Sequence, residues 1–149
     1  MSDPRILQTV DIFTDLDLVQ LGKVYDICNE MTCTKGTVVV KENTPSTEIY
    51  IILEGMVEVL IGFSGLTKSS EKRIGLLDRG QSFGEVALVD QGLRSATVRC
   101  VSDTCRLIEI SRSDLLSLLK TNPDIGFTVM YNLAADLCLK FRQASFRFR

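Results

Sequence analysis

The sequence predicts a mainly β protein, an antiparallel barrel or roll with helices at both ends of the chain. Apolar residues follow a helical spacing in residues 1–31, a spacing of two in residues 32–110, and a helical spacing again from residue 111. Short β-rich runs separated by turns that contain glycine are typical of antiparallel barrels and rolls. We therefore expect a single domain over residues 1–149, with an N-terminal helical segment at 1–31, a β-roll at 32–110 and C-terminal helices at 111–149.

The N-terminal segment predicts an amphipathic helix that begins near residues 14–17. The apolar residues that recur at helical spacing are Leu18, Leu21, Val24, Tyr25 and Cys28. We expect this face to pack against the main body of the domain.

Strands are predicted where a β-rich run is bounded by turn residues, at 38–40, 48–53, 56–61, 73–77, 96–101 and 106–110. Runs 48–53 and 56–61, joined by Glu54 and Gly55, predict a hairpin or neighbouring strands. Runs 96–101 and 106–110 predict a second hairpin. Residues 62–73 are polar and contain glycine and serine, which predicts a surface loop.

Two helices are predicted at the C-terminal end. Ser111, with Asp114 three residues later, predicts an N-cap, and Asn122 followed by Pro123 predicts the start of the last helix. This helix carries an apolar stripe made of Met130, Leu133, Ala134, Leu137, Cys138 and Phe141. Such a stripe suits either the core of the domain or the seam of a dimer.

The composition argues against several functions. A net charge of −2 is unusual for a general nucleic-acid binder, and no apolar run reaches the length of a membrane span. The N-terminus does not have the pattern of a signal peptide, so we expect a cytoplasmic protein. Because the chain has no histidine, the Ser-His and Cys-His nucleophile arrangements are excluded, and no other reactive constellation indicates an enzyme.

The five cysteines contain no Cys-x-x-Cys pair. We expect them to be buried reduced thiols, which behave as small apolar side chains. A four-cysteine metal site remains the alternative, and its ligands would be Cys28, Cys33, Cys100 and Cys105. No other metal and no prosthetic group is expected.

The candidate site lies in the stretch that begins at Phe83 and ends at Arg99. Gly84 has no Cβ, which allows the backbone to approach a ligand closely. The guanidinium of Arg94 is a planar donor suited to phosphate, whereas an ionised Glu85 only accepts hydrogen bonds and suits sugar hydroxyls. This pair of side chains predicts a ligand that is both a diol and an anion.

The motif Gly84-Glu85-Val86-Ala87, six further residues, and Arg94-Ser95-Ala96-Thr97 resembles the phosphate-binding cassette of cyclic nucleotide-binding domains. These domains occur in the catabolite activator protein family, protein kinase regulatory subunits and cyclic nucleotide-gated channels. The resemblance extends over nearly the whole chain. It implies an antiparallel β-roll (a double-stranded jelly roll) with an N-terminal helix and a long C-terminal helix.

The resemblance also implies a role for each residue of the motif. Arg94 is expected to pair with the exocyclic oxygens of a cyclic phosphate, and Glu85 to accept from the ribose 2′-hydroxyl. Gly84 and Ala87 are expected to offer backbone N–H groups, and Ser95 to reach the phosphate or a guanine edge. The remaining residues of the implied ligand-binding set are Phe83, Val86 and Ala96.

The base of the nucleotide is less well defined. Lys140 and Phe141 occupy the positions where bacterial activators have hydroxyl residues that contact adenine. Phe141 is a candidate for stacking on a purine and Lys140 for meeting a guanine carbonyl; the alternative is that both are exposed or pack in a dimer. The resemblance implies cyclic AMP as the first expectation, with cyclic GMP still open.

The expected function is a regulatory module that senses a cyclic nucleotide and relays its presence through the C-terminal helix to an unidentified effector protein or within a homodimer. The chain ends at Arg149, without room for a helix-turn-helix, so direct DNA binding is not expected. The alternative is a dimerisation or protein-interaction module on the same fold that needs no nucleotide.

Overall fold

The computed structural model describes residues 3–62, 71–89 and 92–147, without the side chains of Val86 and residues 144–147. Before the sheets the chain forms 3₁₀ helices Pro4–Thr9 and Asp11–Phe13 and the helix α1, Leu18–Tyr25. The described strands are β1 Asn29–Thr34, β2 Val38–Val40, β3 Glu48–Glu54, β4 Val57–Ile61, β5 Lys72–Leu77, β6 Ser82–Phe83, β7 Thr97–Cys100 and β8 Thr104–Ser111. A short 3₁₀ helix, Glu85–Leu88, follows β6, and the chain ends with α2, Arg112–Thr121, and α3, Pro123–Arg147.

The strands form two four-stranded antiparallel sheets. The first sheet has the order β1-β8-β3-β6 and the second has the order β2-β7-β4-β5. Along β3, Ile49 and Ile51 belong to the core shared with the helices, whereas Tyr50 and Ile52 belong to the core that also contains residues of the second sheet. Because successive side chains of a strand point to opposite faces, β3 is buried on both sides and has an almost continuous apolar sequence.

The N-terminal segment differs from the prediction in the extent of its helix. Asp17 and Gln20 form a reciprocal capping box at the start of α1: the Gln20 N–H donates to Asp17 Oδ1 at 2.8 Å, and the Asp17 N–H donates to Gln20 Oε1 at 2.9 Å. Of the expected apolar face, Leu21 is buried but Leu18 is half exposed. The first strand already begins at Asn29, because residues 29–31 pair with β8.

Both predicted hairpins are wrong. Strand β3 pairs with β8 and β6, whereas β4, which follows it directly, pairs with β5 and β7 in the other sheet. Strands β7 and β8 are likewise divided between the two sheets. The turn at Gly55 has a φ of +94°, and a Cβ there would lie 2.8 Å from the Thr104 carbonyl oxygen, so glycine allows the close crossing between the sheets.

The predicted loop at 62–73 is described only at its ends. Residues 63–70 lie outside the described residues. Lys72 and Arg73 already belong to β5, which pairs with β4.

The start of α2 agrees with the sequence prediction, because the Asp114 N–H donates to Ser111 Oγ at 3.1 Å. The last helix begins at Pro123 as predicted. The side chain of Asn122 has a different role from the expected one. Its Nδ2 donates to the Leu118 carbonyl at 3.0 Å, so it satisfies an acceptor at the end of α2.

The predicted apolar stripe of α3 divides into a buried part and an exposed part. Leu133 is buried with Ile125 and Val129, and Met130 packs against this core. The remaining members of the stripe are exposed: Ala134, Leu137, Cys138 and Phe141. The helix therefore continues beyond its packing surface. No helix in the described part of the chain has the length and apolar character needed to cross a membrane.

The cysteines only partly follow the prediction. Cys100 and Cys105 form a disulfide, so the expectation of reduced thiols is wrong for this pair. Cys33 is buried, Cys28 is half-buried and Cys138 is exposed. Among the described residues, Cys33, Cys100 and Cys105 have sulfur atoms close enough together to bind one metal ion. Cys28, the fourth ligand of the alternative, is not part of this group.

Candidate ligand-binding site

A cavity of about 440 Å³ lies between the second sheet and the chain that follows β6. This volume is in the range of small-molecule sites. Most of the residues singled out from the sequence line it: Phe83, Gly84, Glu85, Ala87, Arg94, Ser95, Ala96 and Lys140. Phe141 is not among the described lining residues and is 73% exposed, and the side chain of Val86 lies outside the described residues.

Arg94 is held in the cavity wall by the main chain. Its N–H donates to the Thr44 carbonyl at 2.7 Å, and its carbonyl accepts from the Asn43 N–H at 2.8 Å. Its Nη2 donates to the Glu48 carbonyl at 2.8 Å, and the Glu48 carboxylate is 3.8 Å away. The other terminal nitrogen, Nη1, is buried without a hydrogen-bond partner. The guanidinium is therefore oriented in advance and retains an unused donor.

Glu85 presents the complementary arrangement. The residue is 5% exposed, and its Oε1 accepts from Lys140 Nζ at 3.4 Å. Its Oε2 is buried without a hydrogen-bond partner. Buried polar atoms are rarely left unpaired, because their desolvation is then not offset. The same cavity thus contains an unpaired cationic donor and an unpaired anionic acceptor.

Gly84 makes this arrangement sterically possible. Its φ is +79°, and a Cβ would lie 2.5 Å from Arg94 Nη1 and 3.1 Å from the Glu48 carbonyl oxygen. Both the backbone conformation and the contact with the guanidinium therefore require glycine.

Ala87 lies in the 3₁₀ turn beside the cavity. Its N–H donates to the Gly84 carbonyl at 3.0 Å and closes the 3₁₀ turn, so this group already has one hydrogen-bond partner within the turn. The carbonyl of Ala87 accepts from Arg112 Nε at the start of α2. The turn beside the cavity is thereby connected to the C-terminal helices, a contact that the sequence did not indicate.

Phe83 contributes to the site through packing. Its ring stacks on Tyr50, with centroids 5.2 Å apart and 14° between the planes. The Tyr50 hydroxyl donates to Glu109 Oε2 at 2.8 Å, and burial together with this hydrogen bond raises the pKa of Tyr50. A fixed aromatic pair therefore anchors β6 immediately before Gly84.

Lys140 connects α3 to the site. Its Nζ lies 3.4 Å from Glu85 Oε1 and 2.9 Å from Asp136 Oδ2. Partial burial acts to lower the pKa of Lys140, but the hydrogen bond to Asp136 and the charge of Glu85 outweigh it and raise that pKa. The ammonium therefore stays charged and compensates the buried carboxylate.

The apolar wall of the cavity was not predicted. Its aliphatic residues are Val40, Val59, Ile74, Leu77, Leu93 and Val98, and its additional hydroxyl residues are Ser46 and Ser82. Alternation along the strands marks inward positions, but it does not reveal which strands meet at the cavity, since that depends on the pairing of the sheets.

The family model of the cyclic nucleotide-binding domain matches residues 30–122. The cyclic AMP receptor protein of Thermus thermophilus is 35% identical over 96 residues, which cover 64% of this chain and 41% of that protein. The cGMP-dependent 3′,5′-cGMP phosphodiesterase A of Dictyostelium discoideum is 29% identical over 120 residues, which cover 80% of this chain and 13% of that protein. This chain spans less than half the length of these two relatives.

The crystal structure of the catabolite activator protein of Thermus thermophilus superposes with a TM-score of 0.78 and 26% identity, over 93% of this chain and 61% of that chain. Both share antiparallel sheets with flanking helices and a long C-terminal helix, which confirms the predicted fold class. The chain belongs to the cyclic nucleotide-binding domain family. Domains of this family are regulatory sensors whose ligands are cyclic nucleotides.

Proposed function

We propose that this domain binds a cyclic nucleotide in the cavity beside Gly84 and relays the binding event through α3. The observation that carries the proposal is the pair of unpaired buried atoms, Arg94 Nη1 and Glu85 Oε2, on residues that line one cavity. A cyclic phosphate supplies the acceptor that Arg94 lacks, and a ribose hydroxyl supplies the donor that Glu85 lacks.

The affinity requires more than these two contacts. A charge-assisted hydrogen bond contributes about 1.5–3 kcal/mol, whereas micromolar binding requires about 8 kcal/mol. The aliphatic wall supplies the remaining binding free energy, because burial of a flat purine against it removes apolar surface from water. Ligands that carry only the phosphate or only the ribose are therefore expected to bind much more weakly than the complete nucleotide.

The proposal names cyclic AMP and cyclic GMP as the two candidate ligands. Ser46, Ser95 and Lys140 are polar residues at the cavity, and each can interact with more than one purine edge. The names of the relatives divide between cyclic AMP and cyclic GMP. We take cyclic AMP as the first ligand to test and cyclic GMP as its direct competitor.

The proposed relay depends on the contact between Lys140 and Glu85. Beyond Leu133 the side chains of α3 that are described are largely exposed, and Lys140 joins this part of the helix to the acid of the site. A ribose hydroxyl that donates to Glu85 Oε2 competes with Lys140 for the carboxylate and reorients it. Binding thereby shifts the populations of α3 arrangements.

Calorimetric titration of the full chain with cyclic AMP and cyclic GMP tests the proposal. Arg94→Ala is expected to weaken binding by about tenfold or more, which corresponds to about 1.4 kcal/mol. The unfolding free energy is expected to change little, because the substitution also removes a buried charge that lacks one of its partners.

Arg79→Ala, at an exposed arginine outside this cavity, is the matched control and is expected to bind normally. Absence of binding heat with both nucleotides at several temperatures, on folded wild-type protein, would refute the proposal.

The exposed face of α3 favours a second candidate function, self-association. Phe127, Tyr131, Ala134, Cys138 and Phe141 follow the alternating four- and three-residue spacing of a two-helix seam. A second copy of the chain presents the same stripe and is therefore its complement. In the alternative function that needs no nucleotide, the domain acts only by dimerisation through this exposed face of α3.

A further inference from the structure

A second cluster of reactive side chains lies where β7 ends and β8 begins, outside the described lining of the ligand cavity. It consists of Cys33 on β1, Cys100 on β7 and Cys105 on β8, and all three are buried. Their sulfur atoms lie within 4.8 Å of one another. Cys100 and Cys105 form a disulfide, and Cys33 is the residue directly opposite Cys105 in the pairing of β1 with β8.

We propose that this cluster is a thiol–disulfide exchange site in which Cys105 pairs with either Cys100 or Cys33. The thiolate of Cys33 attacks Cys105 Sγ, the Cys33–Cys105 bond forms, and the Cys100–Cys105 bond breaks. Cys100 leaves as a thiolate and takes up the proton that Cys33 gave up. The exchange conserves electrons, so it needs no oxidant beyond the one that formed the first disulfide.

The backbone accommodates both pairings. The Cα atoms of Cys100 and Cys105 are 6.5 Å apart. Directly opposed residues of antiparallel strands, such as Cys33 and Cys105, have Cα separations of about 4.5–5.5 Å. Both values lie within the range of about 4.4–6.8 Å that disulfides span. No strand has to leave its sheet for the exchange.

The surroundings favour exchange within the cluster over reaction with solvent. Cys105 is fully buried and Cys100 is almost so. Burial also raises the pKa of the Cys33 thiol, which lowers the thiolate fraction available for attack on any disulfide. A neighbouring disulfide held at close range has the advantage of proximity, so the internal reaction competes well.

The two pairings have different structural consequences. The Cys100–Cys105 bond ties the second sheet to the first, whereas a Cys33–Cys105 bond links two strands of the first sheet only. Cys100 lies two residues after Val98, which lines the ligand cavity. Cys100 and Val98 both belong to the same hydrophobic core cluster. Exchange therefore removes a covalent link between the sheets close to one wall of the cavity.

Disulfide mapping of the full chain tests this proposal. Wild-type protein is equilibrated in glutathione buffers from reducing to oxidising, quenched with acid, alkylated, digested and analysed by mass spectrometry. Oxidised glutathione accepts the two electrons when the first disulfide forms. We expect both the Cys100–Cys105 and the Cys33–Cys105 peptides in oxidised samples, and the loss of both in reduced samples.

Single variants separate the two pairings. Cys100→Ser is expected to form only the Cys33–Cys105 bond, and Cys33→Ser only the Cys100–Cys105 bond. Cys28→Ser, which removes a cysteine outside the cluster, is the control and is expected to retain both. The proposal is overturned if wild-type protein yields no Cys33–Cys105 peptide at any redox ratio. It is also overturned if the reduced protein holds one equivalent of zinc or copper(I) on the three thiolates and resists oxidation, since the cluster is then a metal centre.

Discussion

Gly84 is the residue at which the geometry of the site is most sensitive to a single carbon atom. Gly84→Ala places a Cβ against Arg94 Nη1 and forces alanine into a φ of +79°. We expect the unfolding free energy to fall by about 1–3 kcal/mol, because the left-handed conformation is strained for alanine. We also expect nucleotide binding to weaken, because the guanidinium has to move. Denaturant unfolding and calorimetric titration measure the two effects.

Gly22→Ala is the matched control for this prediction. A Cβ at Gly22, within α1, meets no atom within 4 Å. The substitution is therefore expected to stabilise the domain by about 0.5–1 kcal/mol and to leave binding unchanged. If Gly84→Ala were as harmless as Gly22→Ala, a close contact between Gly84 and Arg94 Nη1 would be contradicted.

At the scale of secondary-structure elements, α3 is connected to the site through Lys140. Lys140→Met retains most of the side-chain length and removes the charge that faces Glu85. Lys140 is half-exposed, but the Glu85 carboxylate is buried and would lose its charged partner, so we expect the unfolding free energy to fall by more than the roughly 1 kcal/mol of a surface pair. We expect ligand-dependent protection of residues 134–143 from hydrogen exchange to be lost, and nucleotide binding to be weakened but still measurable, because Arg94 and the aliphatic wall remain.

Lys120→Met, at an exposed lysine of α2, provides the comparison for the hydrogen-exchange experiment. It is expected to show the same ligand-dependent protection as the wild type. Equal protection in Lys140→Met would show that the relay does not depend on the contact with Glu85.

The strands of the second sheet are joined by an ion-pair network centred on Glu58. Its Oε1 accepts from Arg73 Nη2 at 2.9 Å, its Oε2 accepts from Arg99 Nε at 2.8 Å, and Arg99 Nη2 also donates to Glu71 Oε1 at 2.7 Å. Burial acts to raise the pKa of Glu58, but the two arginines outweigh it and lower that pKa from its usual value of 4.5.

This network predicts an acid-dependent stability. A carboxylate whose pKa is lower in the folded state stabilises the fold above its unfolded pKa, and that stabilisation is lost as the pH falls through the folded pKa. We expect wild type to be more stable than Glu58→Gln at neutral pH, and the difference to shrink below pH 4.5. Urea unfolding at a series of pH values measures it, with the more exposed Glu54→Gln as control. A difference that stays constant across the series would contradict the prediction.

At the scale of the whole molecule, the exposed stripe of α3 predicts a dimer. Phe127, Tyr131 and Phe141 are 71%, 64% and 73% exposed, which leaves a large apolar face on one helix. We expect a dimer by light scattering with and without nucleotide, and a monomer for Tyr131→Glu. Lys120→Glu, which places the same charge on α2, is expected to remain dimeric.

Cys138 provides a second test of the same seam. It is exposed and lies on the stripe, so a parallel two-helix seam brings the two copies of Cys138 near each other. Mild oxidation is expected to cross-link wild-type chains and to leave Cys138→Ser uncross-linked. A protein that is monomeric in every ligand state would refute the seam.

The sequence singled out several residues that line the cavity, but it did not indicate their contacts. Gly84, Glu85 and Arg94 were identified because they lie in one short stretch, where residue type and spacing directly reflect local conformation and charge. The aliphatic wall escaped prediction because Val40, Ile74 and other wall residues come from strands far apart in the chain. The N–H of Ala87 was assigned to the ligand, and it has a hydrogen-bond partner within the local 3₁₀ turn.

Residue periodicity by itself determined the succession of helix, strands and helices, since local spacing reflects which face of an element is buried. The tertiary structure decided how these elements combine: β3 and β4 separate into different sheets, Cys105 meets two cysteines, and Lys140 reaches Glu85. The physical reason is that such contacts join residues distant in the chain and are selected by the packing of the whole core. The local spacing of residues along the chain does not indicate which of these long-range contacts form.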